Sequence, residues 1–442
     1  MFLHCADKID TEIEKGIYMT NLTQPIKPGK RLKITGGGPL CGECDISTSK
    51  NAVLPILAAS LLTAEPVTIH KVPDISDVKN MFTLLRAFGA RVSVSDDSVT
   101  ITTKSIRTTS PAANVMERLR ASILFMGPLL AREGSVTLPL PGGCRIGSRP
   151  IDLHIQGFRA LGAKSVTVNG QVHAWGQPLQ GGHIHLGFPS VGATENIIMA
   201  ATLAKGTTVI EGAAIEPEID DLVSFLNSMG AKITNGKSRI VIDGVQELSG
   251  TDYTPISDRI EAGTLMLAAA VSGGDVHLHR ANAAHLAPIC DKLMEAGAEI
   301  FPFEGGLKVR GRGARPMEIV SSPYPGFPTD MQAPFTAACC LANGKSKVKE
   351  TIFENRFLHV DELKKMGADI TVDGRTAYIN GTGYLYGAEV TATDLRAGAA
   401  LCIAGLLAQG ETIIGNIYHM DRGYENFEDK LLKLGANIMR LS

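Results

Sequence analysis

The sequence predicts an α/β protein in which β-sheets pack outside a centre of buried helices, in a unit repeated six times along the chain. Three observations carry this. The first is a helical stretch ending in Gly-Ala and followed by an extended segment, which recurs as LLRAFGARVSV, FRALGAKSVTV, LNSMGAKITN, LMEAGAEIFPF, LKKMGADITV and LLKLGANIMRL. Its glycines, Gly89, Gly162, Gly230, Gly297, Gly367 and Gly435, stand 67–73 residues apart, a period that marks repeated supersecondary units. The second is an Ala- and Leu-rich helix earlier in each unit, such as SILFMGPLLA or GTLMLAAAV, apolar nearly all round and therefore buried. The third is length: 442 residues exceed one ordinary core, so two or three domains are expected.

Taken in order, each unit reads helix, strand, helix, strand. The apolar helix runs through a turn into a short strand, as in PVTIH, TTVIE, DVHLH and ETII. The second helix is amphipathic, with charges on one side, and covers the outside. It ends at the repeated glycine, which supplies the left-handed C-cap and defines architecture, not chemistry. About the first twenty residues match no period and read as a loosely held extension, with Met19 as an alternative start. Acidic residues stand there where a signal peptide would be apolar, and no run reaches the length of a membrane span, so the chain is expected in the cytosol.

Composition is that of a soluble globular protein, with 44% apolar and 20% charged residues. Net charge is −2 and the basic residues are scattered, so neither nucleic acid nor a membrane surface is an expected partner. The eight cysteines have no framework spacing and read as reduced thiols. Cys41-Gly-Glu-Cys44 has the spacing of a redox pair or half a zinc site, but nothing completes a metal set. Cys339, Cys340 and Cys402 sit in apolar helical stretches and read as small hydrophobes. Cys144 differs. It follows Gly142 and Gly143 and is flanked by Arg145 and Arg149, where the backbone is least restrained and the local charge positive, and it reads as a thiol for chemistry.

Polar residues gather just before each buried helix: Ser49-Lys50-Asn51, Arg118 with Arg120, Ser190 to Thr194, Asp258-Arg259 with Glu261, Thr329-Asp330, and Asp394 with Arg396. These are equivalent points of a repeat, so the helix N-termini should face a common space. An N-terminus offers unpaired N–H groups and partial positive charge, and Lys50, Arg120, Arg149, Arg396 and Arg422 add full charges. The result is a pocket for a multiply anionic substrate. Thr194 and Thr329 read as N-caps. Asp330 and Asp394 are the acids that stay ionised here and suit a proton from a substrate hydroxyl, and periodicity does not rank them. No H-E-x-x-H, phosphate-binding Gly-Lys-Ser/Thr loop or dinucleotide fingerprint is present, so no metal or cofactor is expected.

Ten segments in order now carry a resemblance from about Arg31 to the C-terminus: SKNAVLPILAA, RLRASILFMGPLLA, PGGCRIGSRPIDLH, SVGATENI, EPEIDDL, SDRIEAGT, FPTDMQAPF, FENRFLHVDEL, ATDLRAGA and HMDRGYENFEDKLLKLGA. Together they resemble the UDP-N-acetylglucosamine 1-carboxyvinyltransferases, a family of enolpyruvyl transferases. The resemblance implies a two-domain inside-out α/β barrel with three βαβ-type units per domain. It places residues 51–258 in the first domain, with the Cys144 loop, and residues 1–50 plus 259–442 in the second, with the active site in a closing cleft. The implied reaction moves the enolpyruvyl group of phosphoenolpyruvate to the 3′-hydroxyl of UDP-N-acetylglucosamine and releases phosphate, through a tetrahedral intermediate, at the start of peptidoglycan precursor synthesis.

The same resemblance implies roles. Cys144 gives the proton to the phosphoenolpyruvate methylene and can form an adduct with it, while Asp330 handles the 3′-hydroxyl. Lys50, Arg149 and Arg422 hold phosphoenolpyruvate. Asn51 and Arg120 match sugar-nucleotide and active-site contacts. Arg149, Pro150, Ile151, Asp152 and Leu153, then Phe188, Pro189, Ser190, Val191 and Gly192, and Ile352 line the uridine diphosphate side. Asp394 and Arg396 match closure residues. Two alternatives stand beside this reading. The sister family that makes 5-enolpyruvylshikimate 3-phosphate looks for Asn-Ala-Gly-Thr ahead of an Arg, where this chain has VMERLRAS, and lacks a Pro-Gly-Gly-Cys loop. A non-catalytic UDP-sugar-binding relative predicts erosion of Cys144, Asp330 or Lys50, and all three are intact.

Overall fold

The computed structural model describes residues 30–111, 120–140, 147 and 150–441, with Arg120 and Ala121 described by backbone alone. Its α-helices alternate between inner and outer positions. The inner set is α1 (Lys50–Ala59), α3 (Met126–Glu133), α5 (Val191–Ala201), α7 (Arg259–Ser272), α9 (Gln332–Cys340) and α11 (Leu395–Leu407). The outer set is α2 (Ser76–Phe88), α4 (Asp152–Ala160), α6 (Pro217–Ser228), α8 (Ala283–Glu295), α10 (His359–Lys365) and α12 (Phe427–Lys433). Every residue of α9 is buried, and every residue of α7 but Ser272. By contrast α2 buries only a stripe, Val78, Met81, Phe82, Leu84, Leu85 and Phe88 beside Asp77, at the spacing of one helical face. Each such apolar side chain contributes about 1.5–3 kcal/mol of gross burial energy.

The repeated glycines end the outer helices as expected. All six have positive φ, from 87° at Gly162 to 109° at Gly89, the conformation that a side chain would oppose. The N-terminal extension lies outside the described residues.

Among the described residues six sheets surround the inner helices, five of four strands and one of three. Strands Glu318–Val320 and Asn343–Lys349 flank α9 and pair parallel, and the same βαβ unit surrounds α5 and α11. At α1 and α7 the partners are exchanged. Cys41–Asp45, which precedes α1, pairs with Asp275–His279, which follows α7. Thr251–Tyr253, which precedes α7, pairs with Val67–His70, which follows α1. The chain therefore passes from one half of the molecule to the other at these two points. The buried apolar residues divide accordingly, one cluster running from Val53 to Leu248 and the other joining Leu32–Ile46 to Ile260–Ile438. The two crossings lie side by side: Thr48 bridges Ser257, Ser49 N donates to Ile256 O at 2.8 Å, and Asp258 N donates to Ser47 O at 2.8 Å.

Cys41 and Cys44 share the strand Cys41–Asp45, where residues three apart point to opposite faces. Cys41 is exposed and Cys44 buried, with burial pushing the Cys44 thiol up to about 11. Their spacing therefore makes neither a redox pair nor a metal half-site. Cys339, Cys340 and Cys402 are buried among apolar neighbours, as expected. Among the described residues no His, Cys, Asp and Glu cluster could hold a metal, and no helix is long and apolar enough to cross a membrane.

Candidate active site

The inner helices present their N-termini to a cleft of about 720 Å³ between the two cores. Side-chain caps fix most of these ends. Ser49 accepts from Ala52 N at α1 and Ser190 from Ala193 N at α5. Asp258 caps α7 through Ile260 N and Glu261 N, at 2.8 and 3.0 Å, and also accepts from Lys50 N at 3.2 Å. Asp394 caps α11 through Arg396 N and Ala397 N, at 2.9 and 3.1 Å.

The two threonines expected as caps are not caps. Thr194 lies inside α5, where Ser190 already holds the cap, and its hydroxyl accepts from Ala214 N. Thr329 opens a 3-10 turn, Thr329–Met331, that leads into α9, and its hydroxyl joins Glu350 to Arg356. That turn brings Asp330 into the cleft.

Asp330 sits between two guanidinium groups, Arg356 Nη2 at 2.6 Å and Arg396 Nη2 at 2.8 Å, each arginine about 5% exposed. Burial alone would raise its pKa, but Arg396 and Arg356 outweigh that and hold the carboxyl far below the usual carboxylate range. This separates the two acids that the sequence left level. Asp394 is spent on the backbone of α11, whereas both oxygens of Asp330 meet side chains in the cleft.

A second cluster stands near it. Asp77, in the first turn of α2 and 2% exposed, accepts from Lys50 Nζ at 2.7 Å and from Arg422 Nε and Nη2 at 3.0 and 3.2 Å. Burial pushes the Lys50 ammonium down in pKa against the pull of Asp77, and Arg422 and Arg396 push the same way. Burial would raise Asp77, but Lys50 and Arg422 bring it below its usual value. Arg396 thus acts on both clusters. A third pair, Arg259 with Glu218 at 3.0 Å, is buried on both sides and joins α7 to α6.

Of the residues expected at the site, Lys50, Asn51, Asp330, Ile352, Asp394, Arg396 and Arg422 line this one cleft, with Pro150 to Leu153 and Phe188 to Gly192. Cys144 and Arg149 lie outside the described residues, and Arg120 opens the 3-10 helix Arg120–Phe125 with no described side chain. The described residue nearest Cys144 is Gly147, which is packed so closely on Glu354 that a Cβ there would collide with its carboxylate.

Comparison with known proteins follows the same division. The chain matches the model of the EPSP synthase (3-phosphoshikimate 1-carboxyvinyltransferase) family over residues 34–431. It is 51% identical to UDP-N-acetylglucosamine 1-carboxyvinyltransferase 2 of Carboxydothermus hydrogenoformans, across 93% of this chain and 100% of that one. It is 49% identical to UDP-N-acetylglucosamine 1-carboxyvinyltransferase 1 of Clostridium perfringens, across 93% and 100%. The chain belongs to the UDP-N-acetylglucosamine 1-carboxyvinyltransferase family. Among solved structures, the enolpyruvyl transferase NikO from Streptomyces tendae superposes with a TM-score of 0.83 at 26% identity, covering 93% of this chain and 99% of that one. An EPSP synthase from Acinetobacter baumannii, at 19% identity and a TM-score of 0.72, covers 93% and 100% and shares the fold. The two-domain inside-out α/β architecture of the enolpyruvyl transferases is therefore the fold of this carboxyvinyltransferase.

Four participants escaped the sequence reading. Asp77 stands on an outer helix, off the register of the inner N-termini. Arg356 lies in a loop within the fifth repeat, between the strand Asn343–Lys349 and α10. Glu218 pairs with Arg259 across the two halves, a contact that no local pattern encodes. Glu195, which also lines the cleft, was concealed by the helix around it, although an acid in the run ATENIIMAA was the available signal.

Proposed function

We propose that this protein transfers the enolpyruvyl group of phosphoenolpyruvate to the 3′-hydroxyl of UDP-N-acetylglucosamine and releases phosphate. It thereby commits the sugar nucleotide to peptidoglycan precursor synthesis in the cytoplasm. The observation that carries this reading is the charge pattern of the cleft, where Arg396 links an ionised, doubly paired Asp330 to the Lys50, Asp77 and Arg422 cluster. A cluster of fixed cations beside a hydroxyl-accepting carboxylate suits addition of an alcohol to an anionic enol phosphate. The domains are assigned as 51–258 and as 1–50 plus 259–442, supported by the two separate cores and the paired crossings.

The steps follow from these groups. Asp330 accepts the hydrogen bond of the 3′-hydroxyl and orients it towards C2 of the enol phosphate. Held by two arginines it is a weak base at rest, and Arg396 drawn onto the donor's charge would return basicity to it. As the C–O bond forms, Cys144 delivers its proton to the methylene carbon, giving the tetrahedral phosphate ketal. The Cys144 thiolate then takes a proton back from that methyl group as the C–O bond to phosphate breaks, which releases phosphate and restores the double bond. Lys50, Arg149 and Arg422 stabilise the phosphate through both steps, and the charge set beside Cys144 stabilises its thiolate between them. The Cys144 thiolate can also add to phosphoenolpyruvate itself. Asn51, Arg120, residues 149–153 and 188–192, and Ile352 hold the sugar nucleotide, and Asp394 with Arg396 completes the closed site.

The test is phosphate release from phosphoenolpyruvate with UDP-N-acetylglucosamine or shikimate 3-phosphate as acceptor, with the product mass measured alongside. Release only with the sugar nucleotide, with an enolpyruvyl product, is expected. Release only with shikimate 3-phosphate, or binding of the sugar nucleotide without release, would overturn the proposal.

A further inference from the structure

Beside Thr194, the adjacent polar residues Glu195 and Asn196 are buried in the first half of α5, at 4% and 0% exposure. Asn196 is fully committed to the fold. Its Oδ1 accepts from Gly127 N at 2.8 Å, and its Nδ2 contacts Ile123 O, Gly192 O and His154 Nδ1 at 3.2–3.3 Å. Glu195 is not. It makes no hydrogen bond or ion pair among the described residues, yet it lines the cleft. Its position explains the direction. Val191 and Gly192, which also line the cleft, precede it by four and three residues and so share its helix face.

A carboxyl that opens on a binding cleft with no protein partner keeps its hydrogen-bonding capacity for water or for a bound ligand. The charge around Glu195 says which ligand. The groups acting on it are Glu218 and Glu216 of the α6 N-terminus, both carboxyls. Arg259 of α7 is neutralised by Glu218, and Arg132 of α3 is taken by the carbonyls of Leu61, Thr63 and Thr103. His154 of α4 faces Asn196 as a neutral acceptor. This corner repels an anion such as the enol phosphate, whose cations lie around Lys50. It suits a neutral polar group of the larger substrate.

We propose that Glu195 is an acceptor-binding residue: its buried carboxyl, left without a partner by the fold, hydrogen-bonds an uncharged polar group of the bound sugar nucleotide. This rests on the acceptor reading above. Burial, with Glu218 and Glu216 adding to it, raises the pKa of Glu195 well above the usual carboxylate value, so the group is a hydrogen-bond donor as well as an acceptor. Acceptor affinity should therefore be full below the folded pKa of Glu195 and fall as pH rises through it.

The experiment measures UDP-N-acetylglucosamine binding calorimetrically on the full chain for wild type, Glu195→Val and Glu195→Gln, with steady-state kinetics and melting temperatures. Glu195→Val is expected to weaken acceptor binding about tenfold, the loss of one buried hydrogen bond, with KM for phosphoenolpyruvate unchanged at saturating acceptor. Its melting temperature should not fall, because an unpaired buried carboxyl is removed. Glu195→Gln keeps a donor and an acceptor, so it should bind within about threefold of wild type at pH below the folded pKa of Glu195. It should also lack the decline in affinity that wild type shows as pH rises through the raised folded pKa of Glu195. Wild-type affinity in Glu195→Val, or an identical pH profile in wild type and Glu195→Gln, would overturn the proposal. So would a lower melting temperature with equal loss of both substrates, which marks a structural role. If Glu195→Val does not fold, the pH comparison with Glu195→Gln still decides. Turnover in wild type with unaltered binding in the variants would sink the Glu195 assignment alone, whereas no binding or turnover in wild type would sink the acceptor reading with it.

Discussion

Replacing Asp330 with Asn tests stability and chemistry at the same point. The native carboxylate accepts two charge-assisted hydrogen bonds, at 2.6 Å from Arg356 and 2.8 Å from Arg396, and both guanidinium groups are buried. Breaking a buried ion pair from one side costs about 3–5 kcal/mol, and the Asn oxygen recovers about 1 kcal/mol by accepting one neutral bond. The expected net loss is about 3 kcal/mol, which for a domain of this size lowers the melting temperature by about 6–12 °C. The sign with pH follows from the depressed native pKa. The stabilisation is complete above the unfolded value near pH 4 and is lost only as pH falls through the folded one, so it is fully present at pH 7. Turnover should fall about 10²–10⁴-fold, the range of one acid–base group, because the amide cannot take the hydroxyl proton. The assay is phosphate release at saturating concentrations of both substrates, beside a thermal melt without ligand. Turnover within threefold of wild type would refute the role given to Asp330. An unchanged melting temperature would refute the energetic account of its arginine pair.

Three further outcomes follow. Cys144→Ser should lose most turnover while binding both substrates, as measured by phosphate release and calorimetry, and full activity would remove the thiol from the reaction. Glu218→Gln leaves the Arg259 guanidinium buried without its counter-charge and should cost about 3 kcal/mol, read as a lower thermal midpoint at pH 7. His154 is buried and accepts from Asn196 through Nδ1, so it is neutral, and burial brings its pKa down to about 4 from the ordinary imidazole value near 6.5. Its neutral form contributes stability above pH 6.5 that is lost as pH falls towards 4, by about 3 kcal/mol in all. The gap in melting temperature between wild type and His154→Phe should therefore narrow between about pH 7 and about pH 4.5, and a constant gap would contradict the assignment.

What the sequence made legible was whatever repeats locally. The six glycines announce six helix ends because only left-handed backbone is wanted there, and the polar residues before the inner helices announce the cleft because equivalent points of a repeat converge. Asp330 was readable for that reason. Asp77 was not, since it reaches Lys50 and Arg422 from the covering layer, and its importance lies in a contact 345 residues away along the chain. Thr329 misled because a one-turn 3-10 entry displaces the start of α9 beyond it. The exchange of strands at α1 and α7 leaves no mark on either local sequence, and only the resemblance pointed to it, through domain bounds at residues 50 and 258.

That exchange has a mechanical result. A body tethered by one strand swivels in any direction, but here two strands running opposite ways are bonded to each other at Thr48 and Ser257. A doubled ribbon of this kind bends readily in one plane and resists twisting. The halves are thus held in a fixed register at the crossings, where Lys50 and Arg422 of one half both meet Asp77 of the other. The ends of the inserted half also lie beside each other, which is the geometry of a segment that can be placed into, or cut out of, a host fold without stretching either.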